Sequence, residues 1–281
     1  MYIKCWGARG SIPVSGTDYI KYGGDTTCIE IRTKNNDIII IDAGTGIRRL
    51  GNQLLKEGLF NYNFLLTHAH WDHLLGFPFF KPLYKKGTNI LLYQSPFPNK
   101  YLNIEEVITN LLSPPNFPVR YSDLSAKLEY YNSSSTSFKI GSVRVDSIAL
   151  SHPNRGTGYK FTEDDKTFVF LTDNELDYRH PGGLLFDEYI EFCKGANLLI
   201  HDGEYTPDEY KITIEWGHSN YSSVLDLGIK AKVKRLGLFH LNQERTDREM
   251  DNIVESCRKN IQIQGIDIDC FAVAADMTFK I

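Results

Sequence analysis

Phe64-Leu65-Leu66-Thr67-His68-Ala69-His70-Trp71-Asp72-His73 begins as a short apolar run and ends in three imidazoles and a carboxylate within six residues. A brief apolar run cut off by a polar cluster is the pattern of a buried strand that stops at a turn. The chain then turns from strand toward helix. Residues two apart at the strand end can face one metal ion, and the adjacent Asp72 and His73 can face another. Neutral imidazoles with carboxylates suit Zn²⁺, Mn²⁺ or Fe, whereas Ca²⁺ would want mainly oxygens.

The same punctuation recurs outward along the chain. Ile38 to Asp42 ends in Asp-Ala-Gly-Thr-Gly, Ile90 to Tyr93 is a third apolar run, and Val143 to Leu150 ends in Ser-His-Pro. Thr167 to Thr172 ends in Asp173, Asn197 to Ile200 in His201-Asp202-Gly203, and Arg235 to Phe239 in His240. Helical stretches lie between them, at about Ile47 to Glu57, Leu184 to Lys194, Ser222 to Lys230 and Asp247 to Lys259. Sheets with helices outside make an α/β layered protein. In such folds ligands bind at the carboxyl ends of strands. Four separate strands ending in histidine therefore predict imidazoles and carboxylates converging on one small volume.

Composition bounds the function. The 281 residues are 42% hydrophobic and 23% charged, ordinary globular values that exclude a disordered chain, a collagen-like chain and a coiled coil. No apolar run reaches about 18 residues, so no membrane span is expected. The N-terminus lacks a basic segment followed by an apolar core, so no secretory signal is expected. The formal charge of −4 lacks the basic surplus of proteins that hold long nucleic acid through its phosphates. The five cysteines are scattered and odd in number, which reads as reduced thiols in a cytoplasmic protein. Residues 96–136 hold five of the eleven prolines, including the stretch Pro114-Pro115-Asn116-Phe117-Pro118, and four acidic against three basic residues. The segment reads as an insertion that caps something.

His68 to His73 match HxHxDH in full, and the sequence resembles the metallo-β-lactamase superfamily across almost its whole length, from Trp6-Gly7 to Asp276. The resemblance implies a four-layer αββα sandwich, a single domain over residues 1–281 with 96–136 as a short Pro/aromatic-rich cap within it. It also implies a ligand set. His68, His70 and His152 would hold one divalent metal ion, Asp72, His73 and His240 a second, and Asp173 would bridge them. Zn²⁺ stands first among the metals, with Mn²⁺ and Fe also fitting. Secreted β-lactamases usually carry a cysteine where Asp173 lies, and flavodiiron-type redox proteins usually put Glu at the second motif position, where this chain has His70.

Trp216-Gly217-His218-Ser219, preceded by His201-Asp202-Gly203-Glu204-Tyr205-Thr206, is similar to the phosphodiesterase branch of that superfamily. This branch includes the tRNA 3′-processing endonucleases, the phosphonate-pathway cyclic phosphodiesterase and bacterial cyclic-nucleotide phosphodiesterases. The implied reaction is attack on a small phosphodiester, a cyclic nucleotide first, by a hydroxide shared between the metals. Asp72 would orient or deprotonate the nucleophile, and His218 would assist the leaving oxygen. Asp42 and His201 are candidates for fixing ligand orientation, and Arg155, Ser219 and Phe117 for touching substrate, with Tyr121 or Tyr130 also able to stack on a base. His180 is left without a role. The 96–136 segment departs from the long basic arm of the tRNA-processing enzymes, and its apolar character suggests a homodimer. The rival activities are tRNA 3′ processing, glyoxalase II-like thioester hydrolysis and a non-hydrolytic diiron sensor.

Overall fold

The computed structural model describes residues 1–95, 97, 103–132 and 135–281. In chain order the elements are β1 Tyr2–Gly7, β2 Cys28–Arg32, β3 Ile38–Ile41, α1 Ile47–Glu57, β4 Asn61–Leu65, α2 Trp71–Leu74, β5 Asn89–Tyr93, α3 Ile104–Leu111, β6 Lys127–Tyr131, β7 Ser137–Ile140 and β8 Val143–Leu150. The second half continues with β9 Gly156–Glu163, β10 Lys166–Leu171, α4 Phe186–Cys193, β11 Leu198–Asp202, α5 Pro207–Thr213, α6 Tyr221–Lys230, β12 Arg235–Phe239, α7 Asp247–Gln264, β13 Asp269–Ala272 and β14 Thr278–Lys280.

The strands form two seven-stranded mixed sheets, ordered β14-β1-β2-β3-β4-β5-β6 and β13-β12-β11-β10-β9-β8-β7. Each has three antiparallel pairings at one side and three parallel pairings at the other. The two halves of the chain thus repeat one plan, except that the last strand, β14, crosses back to pair with β1.

Alternation along the strands makes the layers, because successive side chains point to opposite faces. In β3, Ile39 and Ile41 enter the core between the sheets, while Ile38 and Ile40 join the outer core with α1 and α3. In β10, Phe168 and Phe170 face the inter-sheet core, while Val169 and Leu171 face α4, α6 and α7. Three apolar cores between four layers are the consequence, and an α/β sandwich is what the sequence predicted. Each fully buried phenylalanine such as Phe168 contributes roughly 1.5–3 kcal/mol by leaving water.

The 96–136 segment is more regular than its proline content suggests. Positions 96, 98–102, 133 and 134 lie outside the described residues. The rest contains α3, started by an Asn103–Glu106 capping box, and β6, which pairs in parallel with β5 as the edge of the first sheet. Ile104 and Ile108 bury one face of α3 in the outer core. Much of the segment is therefore part of a layer, held there by the same apolar burial as the rest.

Candidate metal centre

Seven strand-end residues meet at one rim of the sandwich. His68 and His70 follow β4, and Asp72 and His73 lie in the first turn of α2. His152 follows β8, Asp173 follows β10 and His240 follows β12. Their ligand atoms form two groups: His68, His70, His152 and Asp173, and Asp72, His73, Asp173 and His240. In the first, His152 Nε2 lies 3.1 Å from His70 Nδ1, and His68 Nε2 lies 3.4 Å from Asp173 Oδ2. In the second, His73 Nε2 lies 3.2 Å from Asp72 Oδ2 and 3.3 Å from Asp173 Oδ1, and His240 Nε2 lies 3.0 Å from Asp72 Oδ2. Asp173 turns one oxygen to each group.

The backbone is shaped for this convergence. Asp42, Asp173 and His240 each take a left-handed conformation, with φ of 60°, 56° and 54°, within two residues of the ends of their strands. Such non-glycine positions cost free energy and cluster at functional sites. Gly10 lies flat against His240; a Cβ there would sit 2.2 Å from the His240 Nδ1.

Three of the imidazoles are oriented from behind by a carboxylate or a carbonyl, and His68 Nδ1 meets the Thr67 hydroxyl at 3.1 Å. His73 Nδ1 donates to Asp42 Oδ2 at 2.8 Å, and Asp42 also accepts from the Thr67 amide and hydroxyl at 2.8 Å each. His152 Nδ1 donates to the Gly217 carbonyl at 2.9 Å. His240 Nδ1 donates to Glu204 Oε2 at 2.9 Å, and Asn242 holds the other Glu204 oxygen. Ring orientation fixed by a carboxylate or carbonyl is the usual support for a metal-ligating histidine.

The donor set fits a pair of divalent cations. His68 Nε2 and His73 Nε2 are buried without a hydrogen-bond partner, although each points at a carboxylate. Two ligands at about 2.05 Å from one tetrahedral ion stand roughly 3.3 Å apart, close to the spacings found here. Electrostatics agrees. Burial pushes His68 well below the usual imidazole range and His152 down to about 3, leaving neutral rings with a free lone pair. Burial would also depress His73 and His240, but Asp72, Asp173, Asp42 and Glu204 outweigh it and hold both well above that range. The carboxylates at this end call for positive charge, which a cation supplies. Burial works against the ionised Asp173, yet His240, His73 and His68 hold it well below the carboxylate range.

His218 stands beside both groups. Its ring stacks on His240 with centroids 4.6 Å apart and meets His152 at 5.3 Å. Its Nδ1 lies 3.2 Å from Asp202 Oδ2 and 3.4 Å from Glu204 Oε2. Burial alone would lower its pKa, but these two carboxylates raise it to about 9. With Nδ1 committed to the carboxylates, the transferable proton of the charged ring is the one on Nε2.

The other expected residues are placed less simply. Asp42 backs His73 as described. His201 does not back a ligand: it shares the face of Leu199, turned toward the helices, with Nδ1 on the Asp202 carbonyl and Nε2 on Asn174. The next residue, Asp202, takes the supporting position because the two-residue alternation of β11 puts it on the opposite face. Ser219 is fully buried, donating to the Asn174 carbonyl and accepting from the Leu176 amide, so its hydroxyl serves the loop and is not offered to a ligand. Phe117 packs edge-on against Phe79 at 5.6 Å, beside the outer core, and Tyr121 and Tyr130 hydrogen-bond to each other. Arg155 sits in the left-handed turn after His152 and lines a pocket with His68, Asn154 and Thr157. Sequence reasoning missed Asp202 and Glu204, although it had singled out the segment that carries them. It also missed Glu175.

Fold and rim together define an αββα sandwich with adjoining His/Asp clusters suited to paired divalent cations. Residues 37–241 match the β-lactamase superfamily domain, and the chain belongs to that family. Among curated proteins it is similar to the ribonuclease Z of Picrophilus torridus, 23% identical with 86% of this chain and 85% of that protein covered. Among solved structures it is similar to the metallo-β-lactamase-fold protein YhfI from Bacillus subtilis, with a TM-score of 0.70, 15% identity and 99% of each chain covered. It is also similar to a diphosphatase from the PhnP family, with a TM-score of 0.68, 17% identity, and 100% of this chain and 97% of that one covered. At these identities the solved structures speak for the fold alone.

Proposed function

We propose that this chain is a binuclear metal-dependent phosphodiesterase acting on a small phosphodiester, with a cyclic nucleotide as the first candidate. The observation that carries the reading is His218. It is a buried imidazole held by Asp202 and Glu204 and packed against one histidine from each cluster.

His68, His70 and His152 would hold one cation, Asp72, His73 and His240 the other, with Asp173 between them. When bound, the pair would polarise a phosphoryl oxygen and lower the pKa of a water toward about 7. The chain supplies the remaining functions. Asp72 stays ionised because His73 and His240 outweigh its burial, and its Oδ2 is fixed by the Ser11 amide at 3.0 Å. It is placed to orient the attacking water. His218 donates its Nε2 proton to the departing oxygen, and Asp202 and Glu204 stabilise the charged ring until then. Arg155, on the turn that follows His152, would meet a phosphate oxygen.

The ribonuclease Z relatives support phosphodiester chemistry and favour a tRNA 3′-processing activity as the second reading. The net charge of −4 favours the small substrate. So does the described part of 96–136, which lies down as a helix and an edge strand. Thioester hydrolysis and a diiron sensor are the readings the test must separate. Among the described residues no helix is long and apolar enough to cross a membrane. We place the protein in the cytoplasm as a homodimer, which light scattering of the purified chain checks.

The test is metal analysis of the purified protein with a substrate panel of 3′,5′- and 2′,3′-cyclic nucleotides, a linear dinucleotide, a pre-tRNA and a lactoylglutathione-type thioester. Two equivalents of metal and turnover of a cyclic nucleotide are expected. Cleavage of pre-tRNA alone selects the second reading. Thioester turnover without phosphodiester turnover, or iron with an oxygen-dependent visible spectrum and no hydrolysis, overturns the proposal.

A further inference from the structure

Glu175 is fully buried two residues beyond Asp173, and it approaches no cluster. Both its oxygens are nevertheless saturated. Oε1 accepts from the Tyr210 hydroxyl at 2.7 Å and the Glu215 amide at 2.8 Å. Oε2 accepts from His180 Nε2 and the Gly217 amide, each at 2.8 Å. His180, the one histidine without a role in the sequence, is thereby accounted for.

These contacts fall on the turn that carries His218. Glu215 and Gly217 both adopt positive φ, 75° and 92°. For glutamate that conformation is costly and must be held from outside. The 217 peptide is pinned at both ends: its N–H by Glu175, and its carbonyl by the His152 ring. His218 follows immediately. The neighbouring Asn174 ties the same region together, its amide donating to Asp202 and its carbonyl accepting from Ser219. Asp173, Asn174 and Glu175 thus link the carboxylate between the clusters to the loop that presents His218.

We propose that Glu175 is a positioning residue that sets His218 against the clusters through the Glu215–Gly217 turn. The proposal rests on the phosphodiesterase reading for its kinetic arm only.

Glu175→Gln is the sharpest probe. An amide replaces one oxygen by NH₂, and a backbone N–H cannot become an acceptor. Whichever way the amide lies, either the Glu215 or the Gly217 N–H loses its partner, and the turn relaxes. Expected is a kcat loss of roughly 10–100-fold, the size typical of outer-sphere supporting residues, with KM within about threefold and metal content unchanged. Tyr210→Phe, which removes one bond at Oε1, should give a smaller loss of the same kind and serves if E175Q does not fold. The deciding measurement is the double variant: E175Q/H218A should be no slower than H218A, because residues that act as a unit are not additive. A second readout needs neither metal nor turnover. The imidazole ¹⁵N resonances of His218 in the metal-free protein, identified by their absence in H218A, should move in E175Q. Multiplied losses in the double variant, or wild-type kcat with unmoved His218 resonances, overturn the proposal. If the wild type turns over no phosphodiester, the functional reading fails, while the resonance shift still decides whether Glu175 positions His218.

Discussion

Asp42→Asn isolates the support of one cluster without disturbing the backbone. Asp42 has φ of 60°, and asparagine tolerates the left-handed region nearly as well as any non-glycine residue. Its Oδ1 keeps the bond from the Thr67 amide, and the Thr67 hydroxyl can rotate to accept from the new NH₂. The bond to His73 cannot adjust in this way. Its Nδ1–H would now face another N–H, so the ring must surrender that proton or move it to Nε2, the atom that faces Asp72 and Asp173. A proton on Nε2 removes the lone pair that would hold a cation. Loss of such support typically costs 10–100-fold in metal affinity, or about 1.4–2.7 kcal/mol. Competition with a chromophoric chelator gives the stepwise affinities. One of the two should weaken by that factor while the other changes less, since His68 is linked to Asp42 only through the Thr67 hydroxyl, and no bond joins His70 or His152 to it. Two unchanged affinities in a folded D42N protein would refute the reasoning that Asp42 fixes the His73 tautomer.

His218→Ala should keep both metals and lose most turnover of bis-aryl phosphates, by roughly 10²–10⁴-fold if the ring acts as the general acid; a wild-type rate would remove it from the chemistry. Asp173→Ala deletes the carboxylate that, alone among the described residues, faces both clusters, so metal content should drop below two per chain, and normal stoichiometry would take it out of the bridge. Chelation should lower Tm. A cation at 100-fold its Kd stabilises the folded state by about 2.7 kcal/mol, worth roughly 5–10 °C in a protein of this size; an unchanged Tm after verified metal removal would argue against a site linking the two sheets.

The sequence made the strand ends legible because each combines two independent signals, a β-branched or aromatic run and an abrupt polar stop. Seven of the candidate ligands lie at such stops or just beyond one, and they converge because parallel strands of a layered fold end on the same edge. Second-rank residues were harder to assign because they depend on facing. His201 and Asp202 are adjacent at the end of β11, and only the register with β10 and β12 decides which one turns toward the rim. Glu175 was not legible: two of its four partners are the backbone amides of Glu215 and Gly217, which leave no mark in sequence, and the side chains of His180 and Tyr210 form no motif with it. The helix α3 was readable in part. Asn103 and Glu106 form a capping box, but the prolines on either side drew the reading toward an irregular cap. The return of β14 to the first sheet follows from pairing across the whole chain and has no local signature.

The placement of the carboxylates bears on the order of events. Asp42, Asp72, Asp173, Asp202 and Glu204 are all buried about the clusters. A phosphodiester carries a negative charge, and two like charges about 4 Å apart repel by about 4 kcal/mol at an effective dielectric of 20. The rings of His73, His218 and His240 offset these acids only in part, so without cations the rim should bind such a substrate weakly. On the proposed reading, the cations reverse the sign of the rim before they serve any chemistry, so substrate affinity should depend on metal occupancy more steeply than on the chain's surface charge. The clusters also draw on both sheets: His68, His70, Asp72 and His73 come from the first, His152, Asp173 and His240 from the second. Cations held between them would tie the two halves at their open edge, where the apolar core gives way to solvent. Occupancy, closure of the rim and attraction of an anionic substrate would then be one coupled equilibrium, with Asp173, which faces both clusters, and His218, stacked against His240, at its centre.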